Sequence, residues 1–318
     1  MSISKRQVRF PLQSNVLTVP SVKSTSKSCK LKKTADVLEK LMNGIFTLCG
    51  FIAVAFVLII TIFLIISGVP AIKEIGVFKF LFGTVWASTA AEPSYGILTF
   101  ILSSVYGTFG AMIIGVPLGV MCAVFLAEMS GGKLSSAVRG AVDLMSGIPS
   151  VVYGLVGMII VVPAVREAFG LPDGANLFSA IIVLAVMILP SVISVSETAI
   201  RAVPKEYREA SLALGATKTE TIFKVTVPAA KSGILASAVL GIGRAIGEAM
   251  AVMMVSGNVA NMPKLFGSVR FLTTAIASEM SYSSGLQRQA LFSVALVLFT
   301  FIMIINVILN IAVKRKKD

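Results

Sequence analysis

Histidine is absent from all 318 residues. That removes the commonest proton shuttle and metal ligand, and no nucleophile–base constellation appears without it. Cysteine is nearly as scarce. Cys29, Cys49 and Cys122 show no ligand spacing, and two lie in apolar runs, so they read as inert thiols and no metal site is expected. Charge is sparse too: 14% of residues are charged against 56% hydrophobic, with a mean hydropathy of +0.92. These values belong to a polytopic membrane protein, not to a soluble domain with a large core. Acids are the scarcer sign, 15 against 28 basic residues, for a net charge of +13. In a soluble protein that excess points to nucleic acid. Here the basic residues lie between apolar runs, so orientation in a membrane accounts for them and no nucleic-acid partner is expected.

The first 35 residues carry eight Lys/Arg, many Ser and Thr, and no acid before Asp36. No apolar h-region follows within them, so they are not a cleavable secretory signal. An organellar transit peptide shares this composition, but a basic, disordered cytoplasmic tail over residues 1–43 is the simpler reading.

The segment 44–313 reads as a transmembrane domain. Six apolar stretches exceed or approach the roughly 20 residues that one crossing needs: 44–67, 97–127, 144–163, 178–200, 231–257 and 289–313. The second is long for one perpendicular span and contains Pro117, so a tilt or kink is expected. The third is interrupted by Gly147, Pro149, Gly154 and Gly157. Such backbone is tolerated only where it is packed in protein or lines a cavity, which places this span beside a pathway. Basic residues fix the orientation. The tail, the 128–140 and 201–231 segments and the C-terminus hold 21 Lys/Arg; the intervening loops hold six. The fold class is therefore an all-α membrane protein with six spans and both termini cytoplasmic.

One basic residue remains, Arg244, inside the fifth stretch with Glu248 four residues on. A guanidinium near mid-bilayer costs about 2.5–3.5 kcal/mol on insertion scales, so it needs a partner, a watery cavity or a function. On a continuous helix Ser237, Gly241, Arg244, Glu248, Ala251 and Val255 share about 80° of arc, opposite Val239, Ile242, Ile246 and Met253. Two readings stand. Arg244 and Glu248 form an i,i+4 ion pair that neutralises itself and locks the bundle. Alternatively, Ser237, Gly241, Arg244 and Glu248 line a substrate path. Arg offers a planar fork to an oxyanion, and Glu accepts from a protonated phosphate oxygen but repels sulfate, which has no proton to give. Asp143 and Glu197 read as solvated helix-end charges, and Trp86, Tyr95 and Tyr153 as interfacial or packing aromatics.

The 201–230 connection is more than a tether. Pro204 suits a first helical turn, Lys205 to Leu214 are good helix formers, and Gly215 fits a C′ position. Thr217 with Glu220 makes a capping box for a second short helix bearing Ile222, Phe223 and Val225. Two short helices with apolar faces outside the bilayer either lie on their own bundle or dock on another protein.

Here the sequence resembles the permeases of ATP-binding-cassette importers. Their coupling loop carries Glu-Ala-Ala, three residues, Gly, nine residues, Ile, one residue, Leu-Pro. This chain has Glu209-Ala210-Ser211, Gly215, Val225 and Val227-Pro228 at those spacings. Ser146-Gly-Ile-Pro-Ser-Val-Val-Tyr-Gly154 and Gly243-Arg-Ala-Ile-Gly-Glu-Ala-Met-Ala-Val252 resemble the phosphate-specific branch. Met250 to Val252, with Phe82-Gly-Thr-Val-Trp86 and Tyr95-Gly96, resemble its C type. The resemblance spans roughly residues 40 to 313 and implies a type I importer permease in the bacterial inner membrane. It further implies coupling through Glu209, Ala210, Ser211, Gly215, Val225 and Pro228. The implied partners are an A-type permease, a dimer of ATP-binding subunits that carries ATP-Mg, and an extracytoplasmic phosphate-binding protein. No cofactor and no catalytic residue are implied in this chain. Neither Gly131-Gly-Lys133 nor Gly215-Ala-Thr-Lys218 completes a phosphate loop. A secondary transporter would need a coupling-ion site and usually an internal repeat, and neither is evident.

Overall fold

The computed structural model describes residues 27–129 and 132–314. The chain divides into two units, residues 1–59 and 60–318. What is described of the first unit is helical and belongs to α1 (Lys27–Ile75). The tail expected to be disordered over 1–43 is thus helical from Lys27, and residues 1–26 lie outside the described residues. Asp36 to Met42 contains no Gly or Pro and is rich in good helix formers, so nothing in it halts the helix that the apolar run propagates.

In the second unit α1 leads through α2 (Val77–Phe82) into a two-stranded antiparallel ribbon, β1 (Trp86–Ala87) and β2 (Ser94–Tyr95), with Trp86 opposite Tyr95. Then come α3 (Leu98–Val124), α4 (Lys133–Gly147), α5 (Ser150–Val156), α6 (Val162–Phe169) and α7 (Leu177–Arg201). The cytoplasmic connection folds as α8 (Lys205–Ala213), α9 (Lys218–Thr221) and α10 (Val227–Ala229). The rest is α11 (Lys231–Gly247), α12 (Met250–Val255), α13 (Leu272–Glu279) and α14 (Gly285–Lys314). Turns of π-helix end α3 at Phe125–Met129, join α5 to α6 at Gly157–Val161, and join α9 to α10 at Ile222–Thr226.

α7 is the central helix, packed mainly on α3 and α11. Gly110, Gly115 and Gly119 let α3 come close: a Cβ at each would fall 2.6, 2.7 and 2.7 Å from the side chains of Ile181, Ile188 and Val192. The first N–H groups of α7 find acceptors both beside the helix and in the distant 265–267 segment. Asn176 Oδ1 accepts from Ser179, and the carbonyls of Gly267 and Leu265 accept from Leu177 and Phe178.

Helices long and apolar enough to cross a bilayer run Glu39–Ile75, Leu98–Glu128, Ser150–Phe169, Leu177–Arg201 and Gly285–Ile308. α11 supplies a sixth when it is counted with the 218–229 arm, from which it bends by 67°. Two expected spans are broken. The stretch 144–163 is not one helix: α4 ends at Gly147, Ile148 is extended (φ −74°, ψ 127°), and the crossing helix begins at Ser150. Pro149 explains this, because its ring disfavours helical geometry at Ile148 and it has no N–H to continue the ladder. The stretch 231–257 breaks likewise, with Glu248 extended (φ −74°, ψ 128°) between α11 and α12.

At the extracytoplasmic end, Glu279 collects donors from several segments: Arg270 at 2.5 Å, Trp86 Nε1 at 3.1 Å, and Ser88 and Gln287 at 3.2 Å. Tyr95 packs edge-on against Trp86, and burial followed by the charges of Glu74 and Glu279 pushes its hydroxyl pKa up.

Candidate functional site

The break in the fifth stretch decides how Arg244 and Glu248 relate. Because α11 stops at Gly247, Glu248 leaves the helical face that a continuous wheel assigns to it. Its Oε1 accepts from the Ala251 N–H at 2.9 Å, meeting one of the unpaired amides that open α12. Thr273 of α13 donates to the Glu248 carbonyl at 2.7 Å, so the extended residue is held from outside its own segment. Arg244 turns elsewhere, its Nη1 lying 3.4 Å from Ser191 Oγ on α7. Among the described residues the two form no ion pair, which removes the self-neutralising alternative.

Arg244 lines an open cavity of about 510 Å³ with Ser191, Leu240, Gly243 and Asn306 among its walls. A Cβ at Gly243 or Gly247 would meet nothing within 4 Å, so among the described residues nothing packs against these two positions of α11. Ser237 and Gly241 sit differently. Ser237 is fully buried and shares a 2.7 Å hydrogen bond with Ser196, while a Cβ on Gly241 would come 3.2 Å from Val192. Both belong to the α7–α11 seam. The stripe drawn on a continuous helix thus separates into a packed part and an open part.

The break at Ile148–Pro149 lies near the one at Glu248, since α5 packs on α12. Gly154 makes this possible: a Cβ there would fall 2.7 Å from Ala251 Cα. Tyr153 bridges its own break by donating to the Met145 carbonyl at 2.6 Å. Sequence reading passed over Ser191, Thr273 and Asn306. Asn306 carried a usable signal, as an amide inside the apolar run of α14. Ser191 and Thr273 carried none, because hydroxyls are common in such helices.

On the cytoplasmic side α8 and α9 form around Gly215, whose φ of +88° suits a residue without Cβ. The capping box of Thr217 and Glu220 forms, and Lys224 adds a 3.1 Å ion pair to Glu220. The Thr217 backbone N–H, then Lys224, hold the Glu220 carboxyl down at about 2. Glu209 and Ala210 are exposed, Ser211 shares a 2.9 Å hydrogen bond with Thr221, Val225 is partly buried, and Pro228 opens α10. Glu197, expected to be solvated, is instead buried between Arg139 and Arg201, with Arg201 Nε at 2.8 Å. The fold draws α4 against the end of α7, and that contact covers the carboxylate.

Residues 115–318 match the family model for the binding-protein-dependent transport system inner membrane component. The chain is 39% identical over 271 residues to the "Probable ABC transporter permease protein YqgH" of Bacillus subtilis, covering 82% of this chain and 88% of that one. It is 35% identical over 255 residues to the phosphate transport system permease protein PstC of Pasteurella multocida, covering 74% and 78%. A chain from the inward-facing MetNI methionine ABC transporter shares the fold, with a TM-score of 0.55 at 22% identity, covering 69% of this chain and 95% of that one. The predominantly helical architecture is the fold of that transporter chain, and the family model describes a membrane component of a transport system. This inner-membrane chain, with its broken spans and helical cytoplasmic connection, belongs to the family of binding-protein-dependent transport system inner membrane components.

Proposed function

We propose that this chain is the C-type permease subunit of an ATP-driven importer of inorganic phosphate. It pairs with an A-type permease across the open side of α11, receives phosphate from an extracytoplasmic binding protein, and is driven by a separate ATPase dimer that carries ATP-Mg. The observation that carries this reading is Arg244: a guanidinium inside an apolar helix, with no carboxylate partner among the described residues, on the wall of an open cavity. An unneutralised guanidinium at that depth attracts an anion and offers it two parallel donors. Relatives named for phosphate transport make phosphate the anion of choice.

Arg244 is the attracting group. Glu248, its Oε1 turned onto the Ala251 amide, is the acceptor that favours a protonated oxyanion over sulfate. Coupling runs through Glu209, Ala210, Ser211, Gly215, Val225 and Pro228. The exposed Glu209 and Ala210 meet the ATPase, and the 218–229 arm transmits the push to α11 through the 67° bend. Alternating access then follows as a rigid-body switch.

The test is ATP-dependent uptake by the co-purified complex in liposomes, with sulfate as competitor. Arg244→Gln should lower phosphate uptake on the order of ten- to a hundredfold, the loss expected when a charge-assisted contact disappears. Undiminished uptake would remove Arg244 from the path.

A further inference from the structure

We infer that Arg208 is the positioning residue that gears the coupling helix α8 to the cytoplasmic ends of α3 and α7, so that both move when α8 is pushed. This rests on the coupling role proposed above. Arg208 directly precedes Glu209, yet it is partly buried where Glu209 and Ala210 are exposed. Its Nη2 lies 2.5 Å from Glu128 Oε1 in the π turn that ends α3. The same nitrogen donates at 2.9 Å to the Ile200 carbonyl in the last turn of α7. One side chain of α8 therefore holds two spanning helices at once.

Stability does not explain this arrangement. The Glu128 side chain is only 8% exposed; its Oε1, close to Arg208 as an ion pair, has no hydrogen-bond partner, and Arg208 Nε is buried without an acceptor. Drawing two charges out of water roughly cancels their attraction, and an unpaired donor adds to the cost. Nor is α8 fixed by apolar packing. It has no fully buried residue, and it packs on α9 and the Ile222–Thr226 turn. The Arg208 contacts are thus its polar bond to the bundle. From there the chain of contacts continues. Arg201 donates to the Leu126 carbonyl at 2.6 Å and to Glu197, and Arg139 of α4 grips the same Glu197. A displacement of α8 reaches α3 and α7 through Arg208, and these further contacts tie α4 to them.

The experiment measures phosphate imported per ATP hydrolysed by the complete reconstituted complex, for Arg208→Gln, Glu128→Gln and the double variant. Each single change should leave the complex co-purifying and hydrolysing ATP while the ratio falls about 2- to 30-fold, the span of single-residue coupling effects. Because the two residues act as one contact, the double variant should lose no more than the worse single variant. Arg208→Lys, which keeps the charge but not the fork, should fall between wild type and Arg208→Gln. An unchanged ratio in both single variants overturns the inference, and so does additive loss in the double variant. A complex that falls apart with Arg208→Gln but not with Glu128→Gln would make Arg208 an assembly contact, which also overturns it. Gly215→Pro separates the levels. If it too leaves uptake intact, the coupling role of the connection falls; if it alone abolishes uptake, only the gearing by Arg208 falls.

Discussion

With Glu248 turned onto the Ala251 amide and Arg244 toward Ser191, a change at either residue leaves the other in place. Glu248→Gln is therefore an informative substitution. The amide oxygen can still accept from Ala251, so the break keeps its geometry, but the negative charge is gone. Phosphate uptake should persist while sulfate becomes an effective competitor, read as a drop in the sulfate concentration that halves phosphate import. Sulfate rejection that survived the substitution would end the discriminating role. The two charged residues were legible from the sequence as an anomaly of depth. Their separation was not, because a wheel assumes helical geometry that Glu248 lacks, and Thr273, one of the groups holding it, lies 25 residues away.

At the scale of elements, local chemistry was read well wherever the deciding residues are neighbours. The capping box at Thr217 and the glycine at 215 depend on a few adjacent residues, and both form as their types dictate. The break at Ile148 depends on Pro149, a local signal that stops the helix as well as marking irregular backbone beside a pathway. The break at Glu248 has no proline and is held by tertiary contacts. The capping box also sets a pH response. Glu220 has its pKa lowered from 4.5 to about 2, so the native state favours its ionised form. The stabilisation is therefore complete above pH 4.5 and is lost as pH falls toward 2. Backbone protection of residues 218–221 should stay level from neutral pH to about pH 5 and decline below that. In Glu220→Gln that decline should be absent.

At the scale of the whole molecule, hydropathy marked the crossing segments: five of the six expected stretches overlap a helix long and apolar enough to span, and the sixth is met only when α11 is counted with the 218–229 arm. The open cavity beside Arg244 had no such mark, since it takes walls from α7, α11 and α14, which only folding brings together. The extracytoplasmic network around Glu279 joins the ribbon, α13 and α14 in the same way. One member of it, Trp86, is the only tryptophan in the chain; it is 8% exposed, and its indole N–H is bonded to a carboxylate. The protein thus carries a single built-in spectroscopic reporter within this network. Fluorotryptophan incorporated into this chain alone should give one resonance in the assembled transporter. Its chemical shift should change during ATP turnover if opening the outer side parts Trp86 from Glu279. A resonance that stays fixed throughout would mean that the outer network travels as one body and that the moving seam lies nearer the membrane centre.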